Sequence, residues 1–413
     1  MKIECGFVPA DIMIPASADM SKWSSVACDQ YTSEPEYWRA VEKYVGNAPS
    51  TLRLMLPEIY LDESEARSKE ITKTMREYID TGVFRVLEKS FVYVERKLGS
   101  GKIRRGLVGA IDLEIYDYSK NSTALCRPTE ATVTSRLPAR VEIRKNAPIE
   151  MPHIMMLIDD KAHSVIEGMA KYTPELEKIY DFELMQGGGH IRGYRVCGKY
   201  ADAVEEAIDA LYKNSSDEHP MLFAMGDGNH SLAAAKAYYE DLKKELGDAA
   251  KNRSARFALV ELVNLFDDAL EFEPIHRVFF GVEPKKLLSE LEGYCGLVKG
   301  EADGQSFEIV TGDKCERYTF TAPNSSVTVG TVQNFLDDYE KRHGGETDYI
   351  HGEDVVKKLC RERADTVGFI VGGIEKDDFF EVVKKDGIFP RKTFSMGHAA
   401  DKRFYLECRD ITK

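Results

Sequence analysis

Six consecutive residues, Gly226-Asp227-Gly228-Asn229-His230-Ser231, gather a carboxylate, an amide, an imidazole and a hydroxyl between an apolar run and a stretch with helical spacing. Beyond them Leu232, Ala235, Tyr239, Leu242 and Leu246 recur at helical intervals, and Gly247 supplies a stop. The pattern is strand, tight turn, helix. The first turn of such a helix aims N–H groups and a positive dipole end at whatever lies above the two glycines. Glycine permits positive φ and close approach of a ligand to the backbone, so the turn suits an anion, most often phosphate. A simple structural cap, with Asp227 or Asn229 as N-cap, needs only one of the four polar groups.

Other residues have the types that chemistry needs. Glu273-Pro274-Ile275-His276-Arg277 follows an apolar run and sets an imidazole for acid–base work beside a guanidinium that can grip phosphate. On an extended segment these two neighbours face opposite sides. Between Phe389 and Tyr405, Arg391, Lys392, His398, Lys402 and Arg403 collect with Thr393 and Ser395, against the acidic balance of the chain. That stretch reads as a phosphate pocket or as a solvated basic surface. Arg127 and Glu130, with Arg136 and Arg140, form a further candidate substrate patch or a set of surface ion pairs. Asp159 and Asp160 end an apolar strand, where one or two carboxylates with substrate phosphates suffice for Mg²⁺, or where a helix cap belongs. Neither the G-x-x-x-x-G-K-S/T phosphate loop nor a G-x-S-x-G elbow occurs.

The elements that must position these groups are mixed. Trp23 to Tyr31 reads as a short strand ending in a polar turn, and Ser33-Glu34-Pro35-Glu36 as a capping box opening a helix through Val45. A charged helix follows over Glu63 to Tyr78, then paired strands Phe91 to Arg96 and Ile103 to Leu113. His153 to Ile158 and Phe257 to Leu265 read as buried strands, with a hairpin around Gly187-Gly188-Gly189 and a helix at Val204, Ala207, Ile208 and Leu211 between them. Residues 281–330 break into short β-like pieces, after which come helix, strand and helix at Val332 to Tyr339, Val367 to Val371 and Phe379 to Val383. The expected division is a mixed α/β core over 1–280, a small peripheral β-rich subdomain over 281–330, and a C-terminal α/β unit over 331–413 that packs back on the core, with Arg391 to Arg403 facing the Gly226 turn.

With 413 residues, 43% hydrophobic and 31% charged, the chain can bury a substantial core. A net charge of −14 argues against nucleic acid as a partner, and no apolar run reaches the roughly 20 residues of a membrane helix. Eight cysteines lie scattered with no C-x-x-C pair, which indicates neither a disulfide framework nor a zinc knuckle. The opening MKIECGFVPADIM has no secretion-signal pattern, so a cytoplasmic protein is expected.

Several ordered segments carry a resemblance: SSVACDQYTSEPEYW, APSTLRLMLPEIYL, RPTEATV, AMGDGNHSLAAAK, EPIHR, DYIHGED and PRKTFSMGHAADKRFY. Together they resemble the bacterial domain-of-unknown-function 1015 family over almost the whole chain. Locally, the strand-Asp-Gly-x-His-helix element is similar to the phosphate motif of the ParB and sulfiredoxin-like fold, whose members include free-serine kinases. That resemblance implies a mixed-sheet core and nucleotide binding. Ser231 stands where that motif carries arginine, so Arg277, Arg391 or Arg403 would have to supply the charge.

The sequence therefore supports a phosphotransferase or phosphatase acting on a small phosphorylated metabolite, with the resemblance pointing to serine or phosphoserine, using Mg²⁺ and ATP, ADP or another nucleotide. Asp227, His230 and His276 are the acid–base candidates. Gly226, Gly228, Asn229, Ser231, Arg277, Arg391, Lys392, Lys402 and Arg403 are the phosphate candidates, with Arg127, Glu130 and His398 as further substrate contacts. Two alternatives stay open: a non-catalytic nucleotide or metabolite sensor, and a metal-dependent hydrolase in which Asp227, His230, His276 and His398 converge on one ion. Homo-oligomerisation is left open.

Overall fold

The computed structural model describes residues 5–151 and 153–413 and is a mixed α+β protein, as the alternation of patterns anticipates. Two compact units divide it. Unit 1 comprises Met1–Pro128, Thr132–Leu270 and Gly397–Lys413; unit 2 comprises Thr129–Ala131 and Glu271–Met396.

In unit 1 the elements that matter are β1 (Phe84–Lys97), β2 (Ile103–Asp112), β3 (Met155–Ile158), β4 (His190–Val196), α1 (Lys199–Asn214), β5 (Phe223–Asp227), α2 (Asn229–Leu246) and β6 (Phe257–Asn264). They build a mixed sheet in the order β5-β3-β6-β2-β1-β4, in which β3 and β6 run parallel and the other neighbours antiparallel. Side chains alternate across this sheet with the two-residue strand period. On one face Phe91, Tyr93, Leu107, Met156, Phe223 and Leu262 pack against Val204 and Ile208 of α1 and Leu232 and Tyr239 of α2. On the other, Val92, Val94, Val108 and Leu259 pack against Trp23, Trp38, Val41, Phe404 and Tyr405. Each large apolar side chain taken from water contributes about 1.5–3 kcal/mol, so both faces are held by many such terms.

The last segment of unit 1 is tied in by short ladders: Phe404 and Tyr405 pair antiparallel with Val26 and Ser25, and Arg409 and Asp410 with Glu150 and Ile149. Trp23 Nε1 donates to the Leu406 carbonyl at 2.9 Å and Ser24 Oγ to that of Tyr405 at 2.9 Å.

Unit 2 is built on β7 (Phe272–Phe280), β8 (Gln305–Thr311), β9 (Lys314–Phe320), α3 (Thr328–His343), β10 (Glu346–His351), α4 (Glu353–Glu362), β11 (Thr366–Val371) and α5 (Lys376–Asp386). Its sheet runs β9-β8-β11-β7-β10, antiparallel throughout, and Phe394–Met396 adds to β7. Phe279, Phe307, Val367 and Phe369 face Val332, Phe335 and Leu336 of α3, while Val278, Val310 and Ile370 face Val356 and Cys360 of α4. Among the described residues of the whole chain, no helix is long and apolar enough to cross a membrane.

Candidate functional site

The turn after β5 is shaped by a bulge. Met225 pairs with Met156 but Asp227, not Gly226, pairs with Met155, so Gly226 is the extra residue that re-aims Asp227. Gly228 then takes φ 78° and ψ 26°, the left-handed region, and a Cβ there would lie 3.0 Å from the Ile154 Cα. Glycine is required twice over, by dihedral and by backbone approach. Gly228 itself is therefore the N-cap, in place of the expected Asp227 or Asn229, and no side chain among the described residues caps α2. The first intrahelical bond runs from the Leu232 N–H to the Gly228 carbonyl at 3.0 Å, which leaves the N–H groups of Asn229, His230 and Ser231 with no acceptor inside the helix.

Asp227 accepts the Gly228 N–H on Oδ1 at 2.8 Å and faces Lys402 Nζ with Oδ2 at 3.2 Å, the two side chains retaining 24% and 14% of their exposure. Asn229 is buried, with 9% of its surface accessible, and its Oδ1 has no hydrogen-bond partner. A buried amide oxygen without a donor carries a desolvation penalty that a ligand donor would remove. His230 Nε2 accepts the Val133 N–H at 3.2 Å.

Lys402 reaches Asp227 because two buried arginines hold its backbone. Arg96 of β1 donates to the carbonyls of Ala400, Asp401 and Lys402 and, at 2.9 Å, to Gly188, while Arg104 of β2 donates to the Asp401 carbonyl at 2.7 Å. Burial, with repulsion from Arg104 and Arg403, pushes Arg96 down to about 9. Arg403, next to Lys402, points the other way: it pairs with Glu261 and, at 2.7 Å, with Glu407, which also takes the Tyr180 hydroxyl at 2.6 Å. A guanidinium neutralised by two buried carboxylates is a structural ion pair, and this replaces the phosphate role expected of Arg403.

A second group of side chains in unit 1 is not singled out by residue type or spacing, although Cys28, Asp29 and Tyr405 lie in two of the segments that carry the family resemblance. Asp29 lies in the turn after Ser25–Val26, with Oδ2 3.8 Å from His153 Nε2. His153 Nδ1 meets the Tyr405 hydroxyl at 2.8 Å, and that hydroxyl donates to Cys28 Sγ at 3.2 Å. Burial would raise the Asp29 carboxyl, but His153, the Gln30 amide and Lys402 outweigh it and hold it below the usual range. Burial pushes the Cys28 thiol up to about 12, which disfavours the nucleophilic thiolate.

The remaining sequence candidates lie elsewhere. His398 caps the short turn Ala399–Asp401 reciprocally with Asp401. Arg127 is buried and donates to the carbonyls of Ala124 and His219 at 2.8 and 2.7 Å. Arg140 pairs with Glu58 at 3.1 Å; the side chain of Arg136 lies outside the described residues, and Glu130 belongs to unit 2. Asp159 is exposed, whereas Asp160 is fully buried and accepts from Ser164 Oγ at 3.1 Å and the Val165 N–H at 2.8 Å, as a turn cap does.

In unit 2, His276 and Arg277 sit on β7 and face opposite sides of its sheet. His276 Nδ1 accepts the Val371 N–H at 3.3 Å, and burial lowers its pKa, with Arg277, His351 and Lys357 adding to the effect. Arg277 donates to Gln333 at 3.0 Å and to the carbonyls of Ile275, Lys392 and Arg391, and burial brings it down to about 10. These internal acceptors occupy its guanidinium, which corrects the expectation of a phosphate ligand. Arg391 is exposed, 3.3 Å from Asp337, and Lys392 is exposed with φ 54°. Among the described residues no group of three His, Cys, Asp or Glu side chains converges as a metal site, so the set Asp227, His230, His276 and His398 does not form one.

Residues 12–339 match the family described as "Protein of unknown function (DUF1015)". No curated protein matches the sequence. Among solved structures, a free serine kinase variant in complex with AMP is similar at 13% identity and TM-score 0.39, over 73% of this chain and 91% of that one. SbnI with C-terminal truncation from Staphylococcus aureus is similar at 11% identity and TM-score 0.37, over 70% and 82%. A conserved hypothetical protein from Pyrococcus furiosus is similar at 15% identity and TM-score 0.34, over 73% and 94%.

Proposed function

We propose the function of this chain, which belongs to the DUF1015 family, from its own geometry: unit 1 transfers or removes a phosphoryl group on a small hydroxyl-bearing metabolite. The observation that carries the reading is the start of α2. An uncapped helix N-terminus, a left-handed glycine, a lysine held at the same turn and a buried amide oxygen without a donor coincide there. The N–H groups of Asn229, His230 and Ser231 and the Lys402 ammonium offer positive charge for phosphate. Asn229 Oδ1 offers the opposite polarity, an acceptor for a substrate hydroxyl or ammonium. In this reading Asp227 holds Lys402, and His230 is fixed by Val133 beside the turn.

Phosphoryl transfer asks mainly for positioning and charge stabilisation, and the turn supplies donors for both. Mg²⁺ carried by the phosphates of a nucleotide or phosphometabolite would neutralise their charge, and it would need only one or two protein carboxylates when phosphates complete its shell. Serine and phosphoserine are the first substrates to try because each combines an anionic group with hydroxyl or phosphate and an ammonium.

The experiment is a thermal-shift screen of serine, phosphoserine, ADP, ATP, CTP and pyrophosphate with and without Mg²⁺, each hit followed by phosphate release and product analysis. Mg²⁺-dependent stabilisation with turnover, lost in Lys402→Met, is expected. Stabilisation without turnover would replace catalysis by the sensor reading, which the serine at position 231 favours. No response to any phosphate compound would overturn both.

A further inference from the structure

We infer that Asp29 is the proton acceptor of the unit 1 site and that His153, held by Tyr405, is its positioning residue; the inference rests on the phosphoryl-transfer reading above.

Three observations join this group to the α2 turn. The strand Ser25–Val26 that precedes Asp29 pairs with Phe404–Tyr405, two residues after Lys402, and the Ala27 N–H donates to the Arg403 carbonyl at 3.1 Å. The turn bearing Asp29 and the segment bearing Lys402 thus flank the two strands of one small sheet. His153 is the residue before Ile154, whose Cα packs against Gly228. Lys402 also attracts both carboxylates, Asp227 by direct contact and Asp29 through space.

The two carboxylates differ in how their oxygens are engaged. Asp227 gives one oxygen to the Gly228 N–H and the other to Lys402. Asp29 gives Oδ1 to the Gln30 amide at 3.0 Å, while Oδ2 stands 3.8 Å from His153, too far for a hydrogen bond and close enough for ionic attraction. The Asp29 side chain keeps 33% of its exposure and His153 only 10%. Asp29 is therefore the outer member of the chain Asp29–His153–Tyr405–Cys28, the one a substrate can touch. A base whose partner is oriented by a third group is the arrangement expected of an acid–base element.

In the step, an alcohol or water oxygen attacks the phosphorus of a phosphoric ester or anhydride. The new O–P bond forms as the bond to the leaving oxygen breaks, the electron pair departs with that oxygen, and the attacking group's proton passes to Asp29 Oδ2. The charged and titratable groups around Asp29 are His153, Lys402, Cys28, Tyr405 and, through Cys28, Glu58 with its partner Arg140.

The test compares wild type, Asp29→Asn, His153→Asn and Tyr405→Phe on the substrate identified by the screen, with NMR titration of the Asp29 side-chain carboxyl carbon in labelled protein. Asp29→Asn is expected to lower kcat by about 10²–10⁴-fold while the ligand-induced rise in Tm is kept. His153→Asn removes an attraction from the carboxylate, so the Asp29 titration and the acid limb of kcat both move to higher pH with KM unchanged. Tyr405→Phe moves them the same way by less. Turnover retained in Asp29→Asn overturns the inference alone. An Asp29 titration indifferent to His153→Asn overturns the role of His153. Absence of turnover in wild type overturns the phosphoryl-transfer reading and this inference with it.

Discussion

Arg96 in unit 1 and Arg277 in unit 2 make the same kind of contact with different results. Both rise from central strands, both are at most 2% exposed, and both donate to the backbone carbonyls of a loop from the C-terminal part of the chain. The loop under Arg96 carries Lys402 to a partly buried carboxylate beside an uncapped helix. The loop under Arg277 carries Arg391 into solvent, where it and Asp337 retain 62% and 52% of their exposure. An ion pair in that setting contributes about 0–1 kcal/mol. The comparison separates two roles that a basic stretch mixes together. The buried arginine organises backbone, and its neighbour Lys402 is held partly buried at the start of a helix.

The largest expected effects come from removing the organisers. Arg96→Met and Arg277→Met each leave several carbonyls, partly or wholly buried, without their donor and should lower the stability of the unit concerned by on the order of 3 kcal/mol, read from urea midpoints. Only Arg96→Met should also abolish phosphate-dependent stabilisation; the same loss in Arg277→Met would dissolve the distinction.

Acidification should sharpen the contrast at intermediate size. In unit 1 burial would raise Glu261 and Glu150, but Arg403 and Arg104 at the first and Arg409 and Arg144 at the second outweigh it and hold both below the usual glutamate range. The stability they contribute is complete above about pH 4.3 and is lost as pH falls from there through their folded values. In unit 2 burial lowers His276, so the unit favours the neutral ring and loses stability as pH falls below about 6.5 toward its folded value. Segment-resolved hydrogen exchange against pH should therefore show unit 2 softening first and unit 1 only below about pH 4.3. A common transition would contradict this order.

The smallest effect separates exposed Arg391 from the largely buried Lys402. Arg391→Ala should change stability by no more than about 0.5 kcal/mol and leave ligand response intact. Lys402→Met should cost about 1 kcal/mol of stability and remove that response, both checked by denaturation with and without pyrophosphate.

Local pattern carried the scaffold of the site. The apolar run to Met225, the glycines and the repeat from Leu232 to Leu246 announce strand, turn and helix, and β2 and β6 follow their alternating or continuous apolar runs closely, whereas β1 begins at Phe84, well before the strand expected from Phe91. The surplus of positive charge near residue 400 likewise stood out against an acidic chain. What could not be read was the acceptor each cation would meet. Arg403 and Lys402 are adjacent in sequence, yet one meets Glu261 and the other Asp227. Asp29, His153 and Tyr405 are separated by more than a hundred residues at each step, and no spacing rule reaches across that distance. They become a group only when Ser25–Val26 pairs with Phe404–Tyr405.

Unit 1 is interrupted in sequence by nearly all of unit 2, and its last segment brings both Lys402 and Tyr405. On a ribosome adding about 5–20 residues per second, the body of the mixed sheet emerges roughly ten seconds before that segment. During this interval the apolar side chains that pack against Phe404 and Tyr405, Trp23 and Val26 among them, lack those partners. A nascent chain stalled within unit 2 therefore holds the Gly228 turn without Lys402, the cation that pairs with Asp227 there.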